Sequence, residues 1–338
     1  MSSTSRIWTA SDFCAPGKTA DFLRIPYSTT RSAYGWLPTP FINVRGGDGP
    51  CAVFFAGNHG DEYEGQVVLR ELAQELEPEK LRGQVLLFPS LNFSAVHNGS
   101  RVSPLDGGNL NRLFPGNPDG TPAEMLAHYI AAEILPMADV VIDLHSGGRS
   151  LDFWPCAVAR YGDGHTDIEK RNVELLRAFG APISYLTTGK AGGAGTTLAA
   201  AAQSLGIPAI MTELGGAAVI RQEGLQIARR GVRQVLAAFD IIDLPADNVS
   251  SSTQFIRMDS RRDTIYAPVA GLFEPLVEPG DDVAAGQTIG RLHDIDDCLR
   301  TPMEVTAPCP GWIACLRSDA LTARGDCLFQ IFTESVEL

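Results

Sequence analysis

The chain has 338 residues, 44% of them hydrophobic and 20% charged, and a formal net charge of −13. Such a length and composition fit a soluble globular protein of about two domains with a core that needs no staples, and the acidic balance argues against a basic nucleic-acid-binding surface. Seven cysteines without a C-x-x-C pair argue against a disulfide framework or a cysteine-rich metal site; with no apolar signal stretch in Met1–Phe13 and no run of roughly 18 apolar residues, a cytoplasmic protein without a membrane span is expected.

Residues 1–45 hold short strand-like pieces among turn residues such as Pro26, Pro38 and Pro40, and read as an N-terminal β-rich segment. Gly46–Pro50 is a turn, and the apolar run 51–56 predicts a buried strand. It ends in Gly57-Asn58-His59-Gly60-Asp61-Glu62, and a helix with Val67, Val68, Leu69 and Leu72 follows. Strands are expected at 85–88, 140–144 and 208–213, and helices at 122–135, 167–179, 196–205 and 220–239. Strands separated by helices predict an α/β layer over 46–247, with a mostly parallel sheet and helices on both faces.

After Leu244 the pattern changes. The Ser-rich stretch 245–253 reads as a linker, and 254–338 shows short β-like runs between turns such as Glu278–Asp282, which predicts a small all-β domain. Ala267–Gly271 and Val277–Gln287 resemble biotinyl and lipoyl carrier domains. The last lysine of the chain is Lys190, so the resemblance implies a barrel-sandwich shape without the swinging arm.

Ligands of open α/β sheets collect beyond the carboxyl ends of the strands. His59 and Glu62 follow the first strand of this layer, His145 follows Val140–Leu144, and Glu213 ends a third. Two His and one Glu form a catalytic zinc set with a fourth position open for water. Zinc would acidify that water and polarise a carbonyl, and Glu213 is placed to take the proton. Asp143, two residues before His145, receives no role, and His97, His128, His165 and His293 have no partners at ligand spacing. Between the ligand segments, the loop with Arg101, Asn111 and Arg112 is suited to presentation rather than packing. A guanidinium there could grip a carboxylate through paired hydrogen bonds or stabilise an oxyanion.

The ordered set His59-x-x-Glu62, Arg101, Asn111-Arg112, His145 and Glu213 resembles the succinylglutamate desuccinylase/aspartoacylase family, relatives of the zinc carboxypeptidases. The likeness spans roughly residues 50–245, and the β segment behind it is similar to that family's second domain. It implies one Zn²⁺ on His59, Glu62 and His145, Arg101 at the carbonyl oxygen, Asn111 and Arg112 on the substrate carboxylate, and Glu213 as general base and then acid. The stretch from Arg101 to Asn111 is longer than in aspartoacylase. Some relatives also place a tyrosine of the second domain near the substrate, and Tyr266 is the only tyrosine in that part of this chain.

The expected activity is hydrolysis of a small N-acyl amino acid. Short stretches, Phe22–Tyr27 and Gly57–Gly65, are similar to the N-acetyl-diaminobutyrate deacetylases of ectoine breakdown. Of spare cations, Arg149 and Lys190 stand in the expected cleft segments, which favours a substrate whose far end is neutral or positive over one with a second carboxylate. The alternatives are an aspartoacylase or succinylglutamate desuccinylase, a zinc carboxypeptidase, and a non-catalytic binding protein; the last would have lost Glu213 or a metal ligand, and none is missing. No strand is followed by a G-x-G-x-x-G turn, which removes a nicotinamide enzyme, since Gly192–Gly195 reads as a flexible loop. The expected partner is a small molecule, with room left for a homo-oligomer.

Overall fold

In the computed structural model the described residues are 5–162, 166–189, 195–244, 253–259 and 261–338. His165, Lys190, residues 192–194 of the glycine-rich loop and most of the expected linker lie outside them. The N-terminal segment is a hairpin of two ten-residue strands, β1 (Gly17–Pro26) and β2 (Trp36–Arg45), longer than the pieces expected.

β3 (Cys51–Ala56) is buried along its whole length and leads through the His59–Glu62 turn into α1 (Glu64–Glu75). β4 (Gln84–Phe88) and a short α2 (Phe93–Asn98) follow. The sequence does not announce α2, because six residues are too few to show a helical period; Asn92 caps its start and Gly99 ends it in the left-handed conformation. The helix expected over 122–135 is α-helical only as α3 (Pro122–Tyr129), and widens into a π-turn at Ile130–Ile134 before a 3₁₀ turn at Leu135–Met137. Pro136, lacking an N–H, cannot continue the ladder.

The alternation continues through β5 (Val140–Leu144), β6 (Leu151–Phe153), β7 (Cys156–Arg160), α4 (Asp167–Phe179), β8 (Ile183–Thr187), α5 (Leu198–Ser204), β9 (Ala209–Glu213) and α6 (Gln222–Ala238). Beyond them the elements among the described residues are strands: β10 (Gln254–Arg257), β11 (Thr264–Tyr266), β12 (Gly271–Pro275), β13 (Asp282–Val283), β14 (Thr288–His293), β15 (Met303–Thr306), β16 (Gly311–Arg317), β17 (Leu321–Thr322), β18 (Cys327–Phe332) and β19 (Glu334–Val336).

Ten strands form one mixed sheet in the order β1-β2-β4-β3-β5-β9-β7-β8-β10-β19. Its centre, β4-β3-β5-β9, is parallel, as are β7-β8 and β8-β10, while β7 runs antiparallel to β9. Helices cover both faces. Along β3, Ala52, Phe54 and Ala56 join a core with α1, α4 and α6, whereas Cys51, Val53 and Phe55 join a second core with α3 and α5. This is the period-2 alternation of a strand with apolar layers on both sides.

The later strands form two antiparallel sheets, β11-β18-β16-β13 and β15-β14-β12-β17, around a core that includes Phe273, Ile289, Ile313 and Phe329. Their junction with the large sheet is continuous: β6 pairs with β16, β10 lies parallel to β8, and β19 closes the edge on β10. Among the described residues no helix is long and apolar enough to cross a membrane.

Candidate active site

The parallel strands β3, β5 and β9 end at the same edge and deliver the polar residues there. His59 and Glu62 lie on the turn between β3 and α1. Gly60 between them has no room for a side chain: a Cβ would fall 2.0 Å from the Ala95 carbonyl carbon, so the turn is seated directly on α2. His145 follows β5, and its N–H donates to Thr212 Oγ1 on β9 at 3.0 Å.

Glu62 stands between the two imidazoles, with Oε1 2.7 Å from His59 Nδ1 and Oε2 2.7 Å from His145 Nδ1. One ligand atom from each of the three buried residues lies within 4.8 Å of the other two. Both rings are held from behind. His145 Nε2 is 2.8 Å from Asp143 Oδ2, and His59 Nε2 is 3.1 Å from Asn109 Oδ1. Each Nε2 thus faces an acceptor and each Nδ1 faces the centre. Second partners of this kind select the tautomer that presents a lone pair to a metal, so the donor set fits a small divalent cation. Asp143 and Glu62 outweigh burial and lift the His145 pKa well above its ordinary value. For Glu62, burial is overcome by the two imidazoles, which hold its carboxyl below the usual range.

Beside this cluster opens a cleft of about 230 Å³ lined by His59, Glu62, Arg101, Asn111, Arg112, His145 and Glu213, among others. Glu213 closes β9; its Oε2 is buried with no hydrogen-bond partner among the described residues. Burial, and then the negative charge of Glu62, push its pKa up to about 8 against the pull of His145 and Arg101. Arg101 spans its long loop to place Nη1 3.4 Å from His59 Nδ1 and 3.5 Å from Glu62 Oε1. Arg112 is half-buried and braced by a hydrogen bond from Nη1 to the Asn111 carbonyl at 2.7 Å; burial, with Arg101 nearby, lowers its pKa. Asn111 accepts from Leu198 N–H at 2.9 Å, which turns its Nδ2 toward His145 Nε2, 3.1 Å away. All seven residues singled out in the sequence therefore meet in one place.

Other placements differ from expectation. Asp143 is a direct partner of His145: residues two apart on a strand point to the same face, a signal present in the sequence. Arg149 is not a cleft residue, since its side chain is 74% exposed with Nε 3.6 Å from Asp319. Arg160 instead lines the cleft, with Tyr185, Thr187, Met258 and Gln330. It is hidden from sequence reasoning because β7 runs antiparallel to β9, so a rule about the carboxyl ends of parallel strands does not point to it. Tyr266 is 54% exposed on β11 and is not among the cleft residues.

The catalytic-domain model of the succinylglutamate desuccinylase/aspartoacylase family matches residues 48–239. An N-alpha-acetyl-L-2,4-diaminobutyric acid deacetylase of Halomonas elongata is 36% identical over 326 residues, which cover 96% of this chain and 94% of that protein. Among solved structures, the product-bound ectoine utilization protein EutE (DoeB) of Ruegeria pomeroyi superposes with a TM-score of 0.93 at 33% identity, covering 98% of this chain and 100% of that one. A succinylglutamate desuccinylase from a Silicibacter species gives a TM-score of 0.92 at 32% identity, with 98% and 99% covered.

Proposed function

The chain belongs to the succinylglutamate desuccinylase/aspartoacylase family, whose named members here are deacylating hydrolases, and we propose that it is a zinc-dependent deacylase of small N-acyl amino acids with N-acetyl-2,4-diaminobutyrate as its preferred substrate. The observation that carries the reading is the convergence in one cleft of three metal donors, two arginines and a Glu213 oxygen without a partner among the described residues. One Zn²⁺ per chain would be held by His59, Glu62 and His145, and supplies Lewis acidity toward a water and a carbonyl.

The protein groups do the remaining work. Arg112 grips the α-carboxylate of the substrate through its fork of N–H donors, and Asn111, which lines the same cleft, is the second contact of that carboxylate. Arg101, whose guanidinium already reaches the donor atoms, donates to the carbonyl oxygen as negative charge develops there. Glu213 takes a proton from the attacking water, and the C–N bond breaks as the same carboxyl returns that proton to the leaving nitrogen. One water is consumed, and a carboxylate and an amine leave. Burial raises the Glu213 carboxyl above the usual range, toward the neutral values at which one group can both accept and return a proton.

The diaminobutyrate preference rests on the likeness to the Halomonas deacetylase. A substrate with a second carboxylate, as in an aspartoacylase or desuccinylase, is the runner-up, and Arg160 in the cleft wall favours it. Comparing kcat/KM of the zinc-loaded enzyme across N-acetyl, N-succinyl and N-formyl amino acids decides between them. The highest value is expected for N-acetyl-2,4-diaminobutyrate; a tenfold advantage for N-acetylaspartate or N-succinylglutamate overturns the preference. The two antiparallel sheets after residue 261 we read as a small barrel-sandwich unit behind a catalytic layer over 46–247, and the seven free thiols fit a reducing cytoplasm.

A further inference from the structure

Glu64, the first residue of α1, is fully buried two positions after Glu62. Its Oε2 accepts from Ser146 Oγ–H at 2.6 Å and its Oε1 accepts from Arg221 N–H at 2.8 Å. The two donors come from different loops. Ser146 follows the metal donor His145 at the end of β5, and its own N–H donates to Glu62 Oε2 at 3.2 Å. Arg221 closes the segment that leaves Glu213 at the end of β9 and caps α6.

We propose that Glu64 is a positioning residue for the hydrolytic centre: its carboxylate ties the loop that carries His145 to the loop that follows Glu213, and so holds a metal donor and the proton-transfer group in one geometry. The inference rests on the hydrolase reading above. The start of that segment is joined to the His145 loop by backbone bonds from Leu214 N–H to His145 O at 3.1 Å and from Gly147 N–H to Gly215 O at 2.8 Å, and Glu64 acts at its far end. Ala217 and Ala218 both lie in the left-handed region, at φ 57° and 51°, a conformation non-glycine residues keep only where their surroundings over-determine it. Ala217 N–H donates to Leu151 O and Ala218 N–H to Gly148 O, both at 2.9 Å, and the Glu64–Arg221 bond fixes the far end.

Asp61, accepting from Arg149 N–H at 2.8 Å, clasps the His145 loop a few residues on. Glu64 is different in reaching across to the β9 side as well. A buried carboxylate is costly to retain without partners, and here both partners belong to loops that deliver site residues.

The test uses the full zinc-loaded chain. Glu64→Ala should lower kcat about 10- to 100-fold, the usual effect of removing a group that orients a metal site, and change KM less than about threefold, since no substrate contact is lost. Zinc release to a chromogenic chelator should accelerate by about tenfold or more. Glu64→Gln should recover kcat to within about fivefold of wild type, because its amide oxygen still accepts from Arg221 N–H and its amide N–H can donate to Ser146 Oγ. Wild-type kcat and zinc release in a folded Glu64→Ala protein, or a Glu64→Gln protein no better than Glu64→Ala, overturn the proposal. If Glu64→Ala does not fold, Ser146→Ala removes one arm of the tie; lower kcat at unchanged KM is expected, and wild-type kcat and release overturn it. Wild-type turnover on N-acetyl amino acids tests the hydrolase reading separately, while the release rate tests Glu64 without any substrate.

Discussion

Asp143 Oδ2 lies 2.8 Å from His145 Nε2, on the side of the ring opposite the 2.7 Å contact between His145 Nδ1 and Glu62. The carboxylate is fully buried at the end of β5 and has one further partner for the same oxygen, Asn58 Nδ2 at 3.1 Å. Such a partner raises the basicity of a ligating imidazole and holds its plane. Asp143→Asn should therefore weaken zinc binding by about 10- to 100-fold. Competition with a chelator of known affinity measures this, and an unchanged affinity would remove Asp143 from the account.

The donor set itself predicts one zinc per chain. His59→Ala or His145→Ala leaves two donors where four-coordinate zinc expects three from the protein, so most of the metal should be lost. Elemental analysis of the purified variants decides it, and full occupancy in both would defeat the assignment.

Glu213→Gln keeps the shape of the side chain and removes its proton-accepting charge. Zinc content and melting temperature should stay near wild type while kcat falls about 10²- to 10⁴-fold. Near-normal turnover in a folded Glu213→Gln protein would exclude this residue as the base.

Arg160 bears on substrate choice. If it serves a second carboxylate, Arg160→Met should lower kcat/KM for N-acetylaspartate or N-succinylglutamate far more than for N-acetyl-2,4-diaminobutyrate. The expected outcome is a ratio between the two classes that moves less than about threefold, a shift smaller than loss of one charge-assisted hydrogen bond would produce. A larger shift makes the runner-up the better reading.

Asp263, fully buried before β11, concerns stability rather than catalysis. Against the cost of burial, Arg262, Thr333 Oγ1 at 2.6 Å and Asp259 N–H at 2.8 Å hold its carboxyl below the usual range. A carboxyl depressed in the folded state contributes stability that is full above the unfolded value of about 3.9 and is lost as pH falls through the lower folded value. Asp263→Asn should thus destabilise at pH 7 by about 1–3 kcal/mol, and the gap from wild type should narrow toward pH 3. A gap that is constant or widens on acidification contradicts this pairing.

Much of the catalytic layer is legible in the chain alone. Cys51–Ala56 and Val140–Leu144 are too apolar to be anything but buried strands, and each hands over to a histidine at its end. Because an apolar run and the polar residues that end it are local features of the chain, the His59, Glu62, His145 and Glu213 set can be assembled from spacing and a family resemblance. The α3 segment shows the limit of this: an apolar period runs to 135, but Pro136 interrupts the hydrogen-bond ladder and the helix widens first.

What only the tertiary structure decided depends on register and direction between distant strands. Glu62 meets His145 83 residues away, and Glu64 meets Arg221 157 residues away; no periodicity encodes such pairs. Arg160 lines the cleft although the antiparallel register sets Cys156, not the end of β7, opposite Glu213, and Arg149 lies near Asp319 instead. The strands β10 and β19, expected to belong wholly to a separate β region, extend the large sheet because β8 offers an open edge to pair with. Local sequence determines which elements form and which residues sit at their ends. Which ends face one another is set by the hydrogen-bonded order of the sheet, and that order is fixed by burial of both its faces at once.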